Sequence, residues 1–114
     1  MAQDCIFCQI GDGRTKSDIL YRDDNCFVIK DIVPKAPVHL LIIPSRHFTH
    51  LANLTPEDYA MVGGLFMAAR MLAQREGLDA TGYRLVVNQG RDAGQAVDHL
   101  HLHVLGGRPL RGMG

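Results

Sequence analysis

Residues 97–105, VDHLHLHVL, place His99, His101 and His103 at every second position of a short apolar run. Side chains of an extended strand alternate between its two faces, so positions i, i+2 and i+4 share one side. The three imidazoles therefore fall on one face, while Leu100, Leu102 and Val104 take the other and pack inward. Only six histidines occur in 114 residues, so half of them crowd into this one segment.

Three roles are open to such a row. It can be a solvated strand face that happens to be rich in histidine. It can bind a catalytic metal, although the outer Cα atoms of an extended strand lie roughly 13–14 Å apart and a Zn–N bond spans only about 2.1 Å. Two neighbours can converge on one ion; three would strain to do so. Or it can serve an anionic group, because neutral imidazole is a nucleophile and a base while imidazolium is a double donor. A nucleophile flanked by a donor to the same phosphate makes a workable phosphoryl or nucleotidyl transfer site. The preceding GRDAGQA (90–96) has glycines that let backbone amides approach phosphate oxygens.

Outward from this segment, the length predicts one domain over residues 1–114, large enough to bury a core without staples. Twelve Lys and Arg balance twelve Asp and Glu, and 46% of residues are hydrophobic. That balance argues against broad electrostatic binding to nucleic acid or an anionic membrane. No apolar run is long enough for a spanning helix, and MAQDCIFCQIGDG lacks the basic and apolar regions of a secretory signal. Three cysteines, two of them in Cys5-x-x-Cys8, favour a reducing, cytoplasmic setting, with metal binding as the alternative to a disulfide.

Strands are expected at 19–21, 26–32, 38–44, 83–90 and 97–105, where β-branched and aromatic residues gather between turn signals. Residues 54–77 predict the one long helix: Thr55 as N-cap, Pro56 at the first position, Glu57 and Asp58 at the positive end of the dipole, Gly77 at the stop. Val62, Leu65, Phe66, Ala69, Leu72 and Ala73 recur at helical spacing as its apolar face. Gly63 and Gly64 interrupt it, which close packing against a sheet or a second subunit would explain. Strands, one long helix, then more strands make an α+β protein: an antiparallel sheet of about five strands with the long helix and a short N-terminal one.

GQAVDHLHLHVLGGRP (94–109) resembles the signature of the histidine triad (HIT) superfamily, His-φ-His-φ-His-φ-φ with φ apolar. CIFCQI, DIVPKAPVHLLIIPSRH and GYRLVVNQG extend the likeness through nearly the whole chain, toward the small nucleotide-binding branch similar to adenosine phosphoramidases. The resemblance implies a hydrolase that cleaves nucleoside 5′-phosphoramidates or related purine nucleoside monophosphate conjugates. His101 would attack the α-phosphorus, forming a nucleotidyl-histidine that water cleaves. His103 would donate to a non-bridging oxygen, His39 would manage the proton of His101, and the Gly94 backbone would orient that ring. Asn88 and Gln95 match positions near the phosphate, Asp31 the ribose-binding acid, and Phe7, Ile29 and Ile32 the purine pocket.

Ala96 stands where the family commonly has Ser or Thr, so a hydroxyl near the leaving group is missing and a slower rate or altered leaving-group preference is expected. That change also motivates an alternative, a purine nucleotide-binding or scaffold protein with little turnover. A metal-dependent enzyme using HxH directly is a further one. Zinc-bearing relatives imply a structural Zn²⁺ site at Cys5, Cys8, His47 and His99, with His50 as rival to His47 and no catalytic metal. The resemblance also implies a homodimer whose sheets join across the interface.

Overall fold

A computed structural model describes residues 5–114 of the chain. The helix α1 spans Ile6–Gly11, followed by strands β1 (Tyr21–Arg22), β2 (Cys26–Lys30) and β3 (Val38–Pro44). The long helix α2 (Tyr59–Arg75) then leads to β4 (Tyr83–Val86) and β5 (Leu102–Gly106). The five strands form one antiparallel sheet in the order β1-β2-β3-β5-β4. The α+β reading, the strand number and both helices hold.

Strand alternation sorts the core into two layers. Val28, Leu40, Ile42, Leu102 and Val104 pack against Leu65, Ala69, Leu72 and Ala73 of α2. Phe27, Ile29, Leu41 and Ile43 face the other way and pack with Phe7 and Ile10 of α1. Burying both faces explains why VHLLIIP reads as a near-continuous apolar run rather than an alternating one. His39 and His103 stand on the α1 side: His39 pairs with Leu105 and Leu41 with His103 across the β3–β5 ladder.

Several boundaries differ from expectation. The first strand lies at Tyr21–Arg22 rather than 19–21, the second ends at Lys30, and the fourth ends at Val86 rather than 90. The last strand begins at Leu102, so His99 and His101 precede the ladder. The reason is local. The His99 ring nitrogen Nε2 lies 2.9 Å from the Pro44 carbonyl, so a side chain takes an acceptor that a continued strand would have met with backbone. The rings nevertheless stay on one side, with His101 and His103 centroids 5.0 Å apart.

At the start of the long helix, residues Pro56–Asp58 form a 3₁₀ turn before α2 proper. The Asp58 carboxylate accepts from the Thr55 backbone N–H at 2.8 Å, closing a capping box. Gly77 ends the segment at φ 73°, a left-handed conformation that costs glycine little. The apolar face is rotated from the expected one. Met61 and Ala68 join Leu65, Ala69, Leu72 and Ala73 inside, whereas Phe66 is 48% exposed. Gly64 does make a close approach, since a Cβ there would lie 2.5 Å from Asn25 Nδ2. Gly63 faces open space.

Candidate active site and metal centre

Two side-chain clusters flank His101. The first gathers Cys5 at the entry to α1, Cys8 inside it, His47 after β3, and His99. Cys5 Sγ lies 3.3 Å and Cys8 Sγ 3.6 Å from His99 Nδ1, while His47 Nδ1 is 3.2 Å from both Cys8 Sγ and His99 Nδ1. A tetrahedral Zn²⁺ with bonds of about 2.1 Å to nitrogen and 2.3 Å to sulfur separates its ligands by roughly 3.4–3.8 Å, so the four atoms are already close to that shell. The Pro44 carbonyl 2.9 Å from His99 Nε2 takes that nitrogen's hydrogen. Nδ1 is thereby left as the metal-binding lone pair. The donor set fits zinc, and it is complete without a water position.

His50 is not in this cluster; it heads the 3₁₀ turn Leu51–Asn53, where its backbone N–H donates to Asn53 Oδ1. His47 fills the third place. Burial pushes His99 down to about 4 and Cys8 up to about 11, with the neighbouring Cys5 adding to the latter. A bound divalent cation would reverse the thiol shift by favouring thiolate.

The second cluster is Asp31, His39 and His103. The Lys35 backbone N–H donates to His39 Nδ1 at 3.1 Å, so neutral His39 carries its hydrogen on Nε2. That nitrogen lies 2.8 Å from His103 Nδ1 and 3.3 Å from Asp31 Oδ2. Given to Asp31, that hydrogen lets His103 carry its own on Nδ1; given to His103 Nδ1, it places the His103 hydrogen on Nε2. This last atom is buried and has no partner among the described residues. A buried donor left open is costly unless a ligand completes it. The same hydrogen on His39 Nε2 disqualifies this cluster as a metal site, because the ring offers no lone pair there.

Both outer histidines of the pair are held neutral. Burial pushes His103 down to about 4, helped by His101 and His39. Burial also lowers His39, against the opposing pull of Asp31.

Between the clusters, His101 Nδ1 donates to the His99 carbonyl at 2.7 Å. This leaves Nε2 as a lone pair, the form a nucleophile needs. The Gly94 backbone does not fill the orienting role expected of it. Gly94 instead ends the Arg91–Ala93 turn at φ 77°, with its N–H on the Arg91 carbonyl. His39 was expected beside His101 but touches His103, its diagonal neighbour across the ladder. The missed contributors are backbone groups of His99, Lys35 and Pro44, which residue type cannot reveal.

The remaining candidates are spread around this centre. Asp31 is half-buried, its Oδ1 accepting from Val33 N–H at 2.9 Å. Phe7 meets the His99 and His101 rings edge-on at 5.8 and 5.1 Å, and Ile29 is buried in the same layer. Ile32 is 95% exposed beside Asp31. Asn88 is half-buried, with no partner for its side-chain amide among the described residues. Gln95 gives its amide hydrogens to the Thr49 and Val97 carbonyls and accepts from Gly90 N–H, which leaves no donor for a phosphate. Ala96 is exposed at the mouth of this loop.

The family described as "scavenger mRNA decapping enzyme C-term binding" matches residues 4–111. The chain is 46% identical over 110 residues to an uncharacterized HIT-like protein of Synechocystis, covering 96% of each. It is 41% identical over 110 residues to the purine nucleoside phosphoramidase of Escherichia coli, covering 96% of this chain and 92% of that one. Among solved structures, a HIT family hydrolase from Legionella pneumophila superposes with a TM-score of 0.91 at 41% identity, covering 94% and 96% of the two chains. A zinc-bound histidine triad protein from Mycobacterium smegmatis gives 0.81 at 36% identity, covering 95% of this chain and 78% of that one. With the likeness running from α1 through β5 in both sequence and backbone, the chain belongs to the histidine triad superfamily.

Proposed function

We propose that this protein is a hydrolase that releases nucleoside monophosphates from purine nucleoside 5′-phosphoramidates or related conjugates. One observation carries the reading: an oriented imidazole lone pair on His101 stands beside a buried, unmatched Nε2 on His103, a donor whenever His39 gives its hydrogen to His103 Nδ1. Nucleophile and oxyanion donor are thus set toward one phosphoryl group. Likeness to the E. coli purine nucleoside phosphoramidase supports the same chemistry.

In this mechanism His101 Nε2 forms a bond to the α-phosphorus as the bond to the leaving amine breaks. The amine departs with a proton drawn from water. The hydroxide left behind then attacks phosphorus, the bond from phosphorus to His101 Nε2 breaks, and its electron pair returns to that nitrogen. His103 Nε2–H stabilises charge on a non-bridging oxygen, and Asp31 accepts the ribose hydroxyls. Phe7, Ile29 and Ile32 border the purine, while the free amide of Asn88 reaches toward the phosphate. Cys5, Cys8, His47 and His99 would hold a structural zinc, which would tie α1 to the active-site segment. The single domain covers residues 1–114, acts in the cytoplasm and forms a homodimer. Exposed Tyr59, Phe66 and Met67 on α2 and the open outer edge of β4 support that pairing.

The test is turnover of adenosine 5′-phosphoramidate by the purified protein. AMP release that His101→Ala abolishes, with folding intact and with insensitivity to brief chelation, supports the reading. Tight AMP binding without turnover of any phosphoramidate would make the protein a nucleotide-binding module instead. Loss on brief chelation in a protein that stays folded would make it a metal-dependent enzyme.

A further inference from the structure

His39 holds one hydrogen between two acceptors. With Nδ1 engaged by the Lys35 N–H, its only hydrogen is on Nε2, 2.8 Å from His103 Nδ1 and 3.3 Å from Asp31 Oδ2. A single N–H serves one acceptor at full strength. Its direction decides the tautomer of His103. Aimed at His103, it keeps Nδ1 a lone pair and the His103 hydrogen on Nε2, toward the phosphate. Aimed at Asp31, it lets His103 carry its hydrogen on Nδ1, and Nε2 then turns a lone pair toward an anionic oxygen. No proton is gained or lost in this exchange; only its address changes.

Asp31 has a reason to compete. Its Oδ1 is satisfied by the Val33 N–H, whereas among the described residues Oδ2 has only His39. A carboxylate oxygen short of donors draws a nearby N–H strongly. A sugar hydroxyl on that oxygen would supply the missing donor and release the His39 hydrogen.

We propose that Asp31 and His39 form a ribose-dependent selector: a ribose hydroxyl on Asp31 commits the His39 hydrogen to His103 and so arms the phosphate donor. The preferred substrates are then ribonucleotide conjugates, and the sugar is read in the chemical step as well as in binding. His39 is a positioning residue, acting through His103. This inference rests on the hydrolase reading and on Asp31 as the acid that meets ribose.

The experiment compares adenosine 5′-phosphoramidate with its 2′,3′-dideoxy counterpart in the native protein and in His39→Gln. A glutamine amide has two hydrogens and can serve Asp31 and His103 together, removing the competition. Expected in the native protein is a kcat at least tenfold lower for the dideoxy substrate, with a higher KM. In His39→Gln the two kcat values should fall within twofold, while the KM difference persists because Asp31 still meets the sugar. Equal kcat values in the native protein overturn the proposal, as does a kcat ratio that survives in His39→Gln. If the native protein turns over neither substrate, the hydrolase reading falls, a distinct result that removes this proposal with it.

A second measurement needs neither turnover nor variant. The ¹⁵N shifts of His103 in the native protein should move to the Nε2–H form with adenosine and not with 2′,3′-dideoxyadenosine. Identical spectra with the two saturating nucleosides overturn the proposal.

Discussion

The His99 carbonyl oxygen lies 2.7 Å from Nδ1 of His101. The ring of the same His99 reaches Cys5, Cys8 and His47. One residue therefore faces the metal cluster with its side chain and holds the nucleophile with its backbone. Phe7, between the two cysteines, packs edge-on against both rings and stiffens the arrangement.

Metal loss should therefore reach the active site through structure. Prolonged chelation, or Cys5→Ser with Cys8→Ser, should lower the melting temperature by about 10 °C, on the order of 2 kcal/mol for a domain of this size. Metal content by mass spectrometry should fall from one zinc per chain to none. An unchanged melting temperature after complete metal removal would show that the cluster does not tie α1 to the sheet.

Acid should destabilise the protein through His103. Its pKa is held near 4 in the folded chain by burial, against about 6.5 unfolded. Between these values the unfolded chain binds more protons, so stability is full above about pH 6.5 and falls as pH drops toward 4. The lowered pKa of His39 acts in the same direction. Urea midpoints measured from pH 7 to pH 4 should decline by roughly 2 kcal/mol of stability, less than full linkage because the His103 ring keeps some water contact. A flat midpoint across that range would contradict the burial of a neutral ring.

Gln95 should act on the loop before it acts on substrate. Its amide ties Gly90, Thr49 and Val97 together. Gln95→Ala should cost about 1–3 kcal/mol and speed hydrogen exchange at the Gly90 amide. A variant with native melting and slow Gly90 exchange would mean that the loop is held by something else.

The adjacent helix glycines should behave oppositely. Gly63→Ala meets no atom within 4 Å and should stabilise α2 by about 0.5–1 kcal/mol. Gly64→Ala would bring a Cβ to 2.5 Å from the Asn25 amide, which donates to the Met61 carbonyl at 2.9 Å. Its melting temperature should fall, and the two scans read side by side check the packing of α2 on the β1–β2 turn.

Local pattern carried the architecture a long way. The VHLLIIP run is a buried strand from Val38 to Pro44, and the Thr55–Pro56 start and Gly77 stop bracket the long helix. These features depend on neighbours in the chain, where periodicity and capping act. The helix face was less legible. Phe66 and Met61 both fit an apolar stripe, and only packing on the sheet decided that Met61 turns inward.

The Cys5-x-x-Cys8 pair and the row His99, His101 and His103 are legible in residue type and spacing, because metal and phosphate chemistry demand those side chains, whereas the grouping of the two cysteines with His47 and His99 follows only from the family resemblance. Which group holds which ring is not legible there. The His99 carbonyl on His101, the Lys35 N–H on His39 and the pairing of His39 with His103 join residues through backbone atoms that every sequence possesses. Their partners are set by strand register and by where β5 begins, so tertiary structure alone assigns the hydrogens.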